Sequence, residues 1–155
     1  MIRPAQPADV ATILRFVREL AVFEREPDAV LATEPMLHDA FFGERPAAEA
    51  VIAEDGETLG FALFFHNFST WTGKRGLYLE DLYVTPDARG QGVGGVLLAH
   101  LAGMALDRGC ARFEWSVLDW NADAIAFYRK VGAVGMEDWT IQRMSGAALV
   151  RLAGR

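Results

Sequence analysis

The chain has 155 residues, 52% of them apolar and 23% charged, with a net charge of -6. That size and balance fit one folded domain over residues 1–155 with its own core. An acidic balance argues against a general nucleic-acid partner and is compatible with a cationic substrate. No apolar run reaches the length that spans a bilayer, so no membrane partner is expected. The single cysteine, Cys110, excludes an internal disulfide and points to the cytoplasm. Met1-Ile2-Arg3-Pro4 lacks the apolar core of a signal peptide.

Ile2 to Pro4 reads as a short first strand. From Pro7 to Glu24, Val10, Ile13, Leu14, Val17, Leu20 and Ala21 recur at helical spacing, and Glu24 to Asp28 ends the helix. Thr33 is a fair N-cap for a second helix reaching Phe42, with Gly43 as its stop. Ala50 to Glu54 and Leu59 to Phe65 read as strands joined by the hairpin signal Asp55-Gly56. Trp71 to Gly76 is a turn, and Leu77 to Val84 the next strand. A helix is expected from Gly94 to Asp107, a strand from Arg112 to Leu118, and a helix from Asn121 to Lys130 with Gly132 after it. Trp139 to Met144 reads as a last strand and Ala147 to Leu152 as a tail helix. This order predicts an α+β or α/β sheet with helices on both faces.

Between strand 77–84 and the helix from Gly94 lies Arg89-Gly90-Gln91-Gly92-Val93-Gly94-Gly95. Glycines allow a tight turn and close approach to a ligand. Amides at a helix start favour an anion, and an arginine adds a phosphate donor. A phosphate-binding turn is the expectation. A turn that merely changes direction is the plainer alternative. Gly90, Gly92 and Gly95 also satisfy the dinucleotide fingerprint. That fingerprint, however, should follow its strand directly and open the first βαβ unit, and here Thr85 to Ala88 intervene.

Glu80 lies mid-strand, where a carboxylate needs a partner or a polar cleft. Strict alternation puts Tyr78, Glu80, Leu82 and Val84 on one face and Leu79, Asp81 and Tyr83 on the other, unless a bulge turns Asp81. Trp71, Trp120 and Trp139 are candidate walls for a cation or, equally, core residues. Glu24 and Glu26 could add negative charge at the acceptor mouth, and a solvated helix end is the plainer reading. His38, His66 and His100 have no metal-ligand spacing, and no metal is expected. Cys110 reads as a small buried residue rather than a nucleophile.

Arg89 to Gly94 matches the Q/R-x-x-G-x-G/A motif of the GNAT superfamily of acetyl-CoA-dependent N-acetyltransferases, which the chain resembles over almost its whole length. Tyr78 to Val84, Val117 to Asn121 and Phe127 to Ala133 resemble its diamine acetyltransferase branch, which holds spermidine/spermine and thialysine enzymes. Phe68-Ser69-Thr70-Trp71 looks closer to the thialysine side. The resemblance implies an α+β fold (α/β/α), with a mixed, mostly antiparallel sheet splayed at strands 4 and 5.

It also implies acetyl transfer from acetyl-CoA to a primary amine of a small cationic acceptor, by direct attack in a ternary complex. The amides of Arg89, Gly90, Gln91, Gly92, Val93 and Gly94 would hold the pyrophosphate. Leu82 and Val84 would pair with the pantetheine arm, and Asn121 and Lys130 would touch the cofactor. Tyr128 would face the leaving thiolate as acid. Glu80 would act as base or relay, and Asp81, Trp71 and Trp120 would line the amine pocket beside it. A homodimer is implied, with the segment from Glu137 near its interface. A peptide or protein acetyltransferase and a non-catalytic acyl-CoA-binding module remain as alternatives.

Overall fold

The computed structural model describes all residues, 1–155. They divide into two compact units, Met1–Leu118 and Asp119–Arg155. The first holds a five-stranded sheet in the order β1 (Ile2–Pro4), β2 (Glu49–Asp55), β3 (Glu57–Ser69), β4 (Lys74–Val84), β5 (Phe113–Trp115). The first four strands pair antiparallel, and β5 joins β4 in parallel. The sheet is therefore mixed and open, as expected for the α+β class.

Helix α1 (Val10–Phe23) follows a single turn of 3-10 helix at Pro7–Asp9, so the expected first helix changes type at its start. Asp9 holds that turn from two directions, accepting from the Gln6 amide at 2.7 Å and from Arg3 Nη1 at 2.7 Å. Helix α2 (Glu34–Phe42) starts at the expected cap, with the Met36 amide donating to Thr33 Oγ1 at 3.4 Å. Ile13 and Phe16 of α1, with Phe41 of α2, pack onto Ala50, Ile52, Phe61, Leu63 and Tyr83 of the sheet. The alternate strand residues Val51, Ala53 and Ala62, with Phe64, Leu77 and Leu79, are buried too, as are Leu97, Leu101 and Ala105 of α3 (Val93–Asp107). Helix α3 lies against β3 and β4, so the sheet is covered on both faces.

Strands β3 and β4 run further toward their shared turn than expected, and β5 is shorter than the expected 112–118. Its ladder with β4 covers only Leu77 to Leu79 against Phe113 to Trp115. From Glu80 to Val84, β4 has β3 on one side and no strand on the other. This is the splay.

In the second unit, α4 (Ala122–Lys130) and α5 (Gly146–Leu152) are present. The strand expected at Trp139–Met144 is not. Those residues enter no ladder and are exposed, because a strand forms only where another backbone offers its hydrogen bonds.

Candidate active site

Two irregularities of β4 build the site. The first is a bulge. Leu63 of β3 pairs with Asp81 and Phe64 pairs with Leu79, leaving Glu80 as the extra residue. Two carboxylates thus stand against one partner, and the strict alternation expected from sequence breaks here. Tyr83 belongs to the core cluster beneath α1, while Leu79, four residues earlier, lies outside it. The bulge is the condition under which Asp81 is expected to leave strict alternation and stand beside Glu80.

The third acid comes from α1. Glu24 is that helix's C-cap residue, and Glu80 acts on it electrostatically. Burial, then the charge of Glu80, raise the Glu24 carboxyl above its ordinary value. Burial, then the charges of Glu80 and Glu24, push Asp81 up to about 6 from 3.8. No cation is among the causes of either shift. Three acids that raise one another in this way are suited to a cationic ligand. Of the two expectations for Glu24, charge at the acceptor mouth fits this electrostatic coupling better than a solvated helix end. A signal was available, because a carboxylate is disfavoured at a helix C-terminus by the helix dipole.

The second irregularity is the turn after β4. Gly90 and Gly92 have φ of 76° and 83°, in the left-handed region, and Gly92 is the N-cap of α3. A Cβ at either position would meet nothing within 4 Å, so the need for glycine is conformational. The first amide to return to the turn is that of Val96, donating to Gly92 O at 3.0 Å, so those of Val93 to Gly95 point out of the first helical turn. The Gln91 side chain bends back to Asp87 O at 2.8 Å and closes the loop. Outward amides at a helix start are suited to a phosphate. Arg89 directs its Nε to Val84 O at 3.0 Å. Beside it a cavity of about 210 Å³ is lined by Leu20, Phe23, Leu82, Tyr83, Val84 and Arg89, along the open edge of β4.

A pair of acids, an open strand edge and a glycine turn with outward amides thus succeed one another along fifteen residues, from Glu80 to Gly94. A model of the "Acetyltransferase (GNAT) family" matches residues 14–133 and so spans all of them. The chain belongs to the GNAT acetyltransferase family. It is an N-acetyltransferase, and acetyl-CoA is the family's acetyl donor. A thialysine N-epsilon-acetyltransferase of Sus scrofa is 41% identical over an alignment of 167 positions, covering 100% of this chain and 98% of the relative. A spermidine/spermine N(1)-acetyltransferase-like protein of Homo sapiens is 35% identical over 98% of this chain, which spans 23% of that longer protein. Among solved structures, an integron cassette protein of V. cholerae superposes with a TM-score of 0.83 at 27% identity, over 100% of this chain and 98% of that one.

In this acetyltransferase the first unit brings together Glu80, Asp81, Leu82, Val84 and the turn from Arg89 to Gly94. Trp71 is apart from them, 81% exposed in the turn between β3 and β4, with the Arg112 guanidinium 5.9 Å from its ring centre. Lys74 to Glu80 alone is roughly 20 Å of strand at ~3.3 Å per residue. The remaining expected residues belong to the second unit. Trp120 is partly exposed and its carbonyl accepts from the Ala122 amide at 3.0 Å. Asn121 caps α4, its Oδ1 accepting from the Ala124 amide at 3.2 Å. Tyr128 is half-buried against Phe127, ring centres 5.6 Å apart, and Lys130 ends the helix exposed.

Proposed function

We propose that this enzyme acetylates the primary amine of a small cationic acceptor, a thialysine- or lysine-like amino acid, a diamine or a polyamine. The observation that carries the reading is the cluster of Glu24, Glu80 and Asp81 at the bulge of β4, next to the strand edge suited to the donor. Thialysine acetylation by the relative named above agrees with it.

Acetyl-CoA brings its acyl group as an activated thioester. The chain's own residues have three tasks. The first is binding the donor. The amides from Arg89 to Gly94 suit its pyrophosphate, and the open backbone at Leu82 and Val84 suits an extended arm laid alongside like an added strand. Asn121 and Lys130 are proposed as further donor contacts from the second unit.

The second task is the acceptor's proton. A lysine-type ammonium has a reference pKa near ~10.4, so deprotonation near neutral pH costs roughly 4 kcal/mol. Asp81 and Glu24 hold the ammonium. Glu80, the more exposed member of the bulge, takes the proton and passes it to water. Trp120 is proposed as a wall for the cation, a role that the distance of Trp71 from the acids denies to that residue. The third task is the leaving sulfur. Tyr128 donates a hydrogen bond to the developing thiolate, which demands less than full proton transfer between groups of pKa ~10 and ~8.5. Two copies of the chain are proposed to form a homodimer.

Thiol release from acetyl-CoA, measured with putrescine, spermidine, spermine, lysine, thialysine and a lysine peptide, tests the reading. Turnover on a free cationic amine is expected. Turnover on the peptide alone would move the protein to macromolecular acceptors. Donor binding with no turnover on any amine would make it a non-catalytic acyl-CoA module.

A further inference from the structure

Arg89 opens the glycine motif, and its guanidinium is the natural candidate for a phosphate ligand. Its side chain, however, is already engaged with three residues of two other elements, β4 and α1. Nε donates to Val84 O, the last backbone acceptor of the open strand edge, at 3.0 Å. The guanidinium carbon lies 5.7 Å from the ring centre of Tyr83 and 5.9 Å from that of Phe23, within cation–π range of both. Tyr83 is anchored in the core, its ring 5.0 Å from Phe16 and its hydroxyl donating to Glu19 of α1. Phe23 is the last residue of α1, and Glu24 follows it directly. Arg89 therefore ties the donor's turn to the end of the donor's strand and to the end of the helix that carries Glu24.

We propose that Arg89 is a positioning residue that couples the two substrate sites: through Val84, Tyr83 and Phe23 it fixes the end of the strand that takes the donor arm and holds Glu24 beside Glu80 and Asp81 for the amine. The proposal rests on the reading of the carboxylate cluster as the amine site. It assigns Arg89 an effect on the acceptor, which it does not touch, and an effect on the donor that does not depend on the donor's phosphates. A phosphate ligand would do neither.

The charged groups facing Asp81 are Glu80 on its own strand and Glu24 from α1, while β3 opposes it with the apolar Leu63. Loosening the end of α1 removes one of the two negative charges that raise Asp81, so the acidic limb of the activity profile must move to lower pH.

The experiment compares the wild type, R89Q, F23L and E24Q as full chains, using acetyl-CoA and S-acetyl-pantetheine as donors and an amine found active in the panel. R89Q is expected to lower kcat/KM by about tenfold with both donors alike, the scale of one lost charged hydrogen bond. It is also expected to raise the KM for the amine and to shift the acidic limb downward, as E24Q does. F23L should show the same pattern more weakly, which separates positioning from a simple loss of charge at the turn. A loss confined to acetyl-CoA, with the amine KM and the limb unmoved, would make Arg89 a phosphate ligand and overturn the proposal. An E24Q variant that matches the wild type in amine KM and pH profile would overturn the amine-site reading, and the coupling with it.

Discussion

Burial and the charges of Glu80 and Glu24 push the Asp81 carboxyl up to about 6, from 3.8. Because the folded state holds this proton more tightly than the unfolded chain, the stability tied to it is fully present below the unfolded value. It is lost as pH rises through the folded one. Ionised Asp81 costs up to roughly 3 kcal/mol at pH 8, from about two pKa units. Asp81→Asn should therefore raise Tm by several degrees at pH 8 and leave it nearly unchanged at pH 4. Thermal melts at the two pH values check this, and equal shifts at both would mean that the gain is not electrostatic. The same variant should lose activity, since a site that stores unfavourable charge gives up stability for function. Tyr128→Phe tests the other end of the reaction. Turnover should fall about 10²-fold while affinity for the donor, read by CoA titration, stays within a factor of two. Glu80 and Tyr128 could be singled out in the sequence by residue type and motif. The side to which Asp81 turns could not, because a period of two leaves no trace of one inserted residue.

Regular elements were legible wherever a local signal set them. Thr33 and Asn121 cap α2 and α4 as their residue types predict, and the glycines of the turn open α3. Lengths were less legible, since a ladder ends where its partner leaves. Strand β5 stops at Trp115 although its apolar alternation continues, and Trp139 to Met144 has strand composition without a neighbour to pair with. The turn between β4 and α3 offers a test at this scale. Gly92 has a φ of 83°, and a methyl group there would meet nothing in the protein. Gly92→Ala should thus cost about 1–2 kcal/mol of stability, the penalty of a left-handed alanine. If a phosphate approaches these amides, the donor should suffer far more: KM for acetyl-CoA should rise at least tenfold while KM for the amine holds. A rise in both KM values in proportion would mean that the variant damages the fold rather than the donor site.

At the scale of the whole molecule, the second unit exposes several large apolar side chains. Trp139 and Ile141 are 68% and 75% exposed, and Val134 and Met136 nearby are exposed as well. Scattered apolar residues on a surface need no explanation, but several within a dozen positions mark an interaction site. The same segment has strand composition and enters no ladder. We propose that a second copy of the chain covers these side chains, because a two-fold contact buries the same patch twice. Light scattering at micromolar concentration should return twice the chain mass of 17.0 kDa. A W139S/I141S double variant should return the single mass, with Glu80, Asp81 and the glycine turn untouched in the first unit. If this monomer keeps full turnover on a small amine, the dimer serves stability alone. If turnover falls with dissociation, and recovers as concentration drives the copies together, the acceptor site draws on both chains. A wild type that stays at 17.0 kDa across that range would overturn the homodimer.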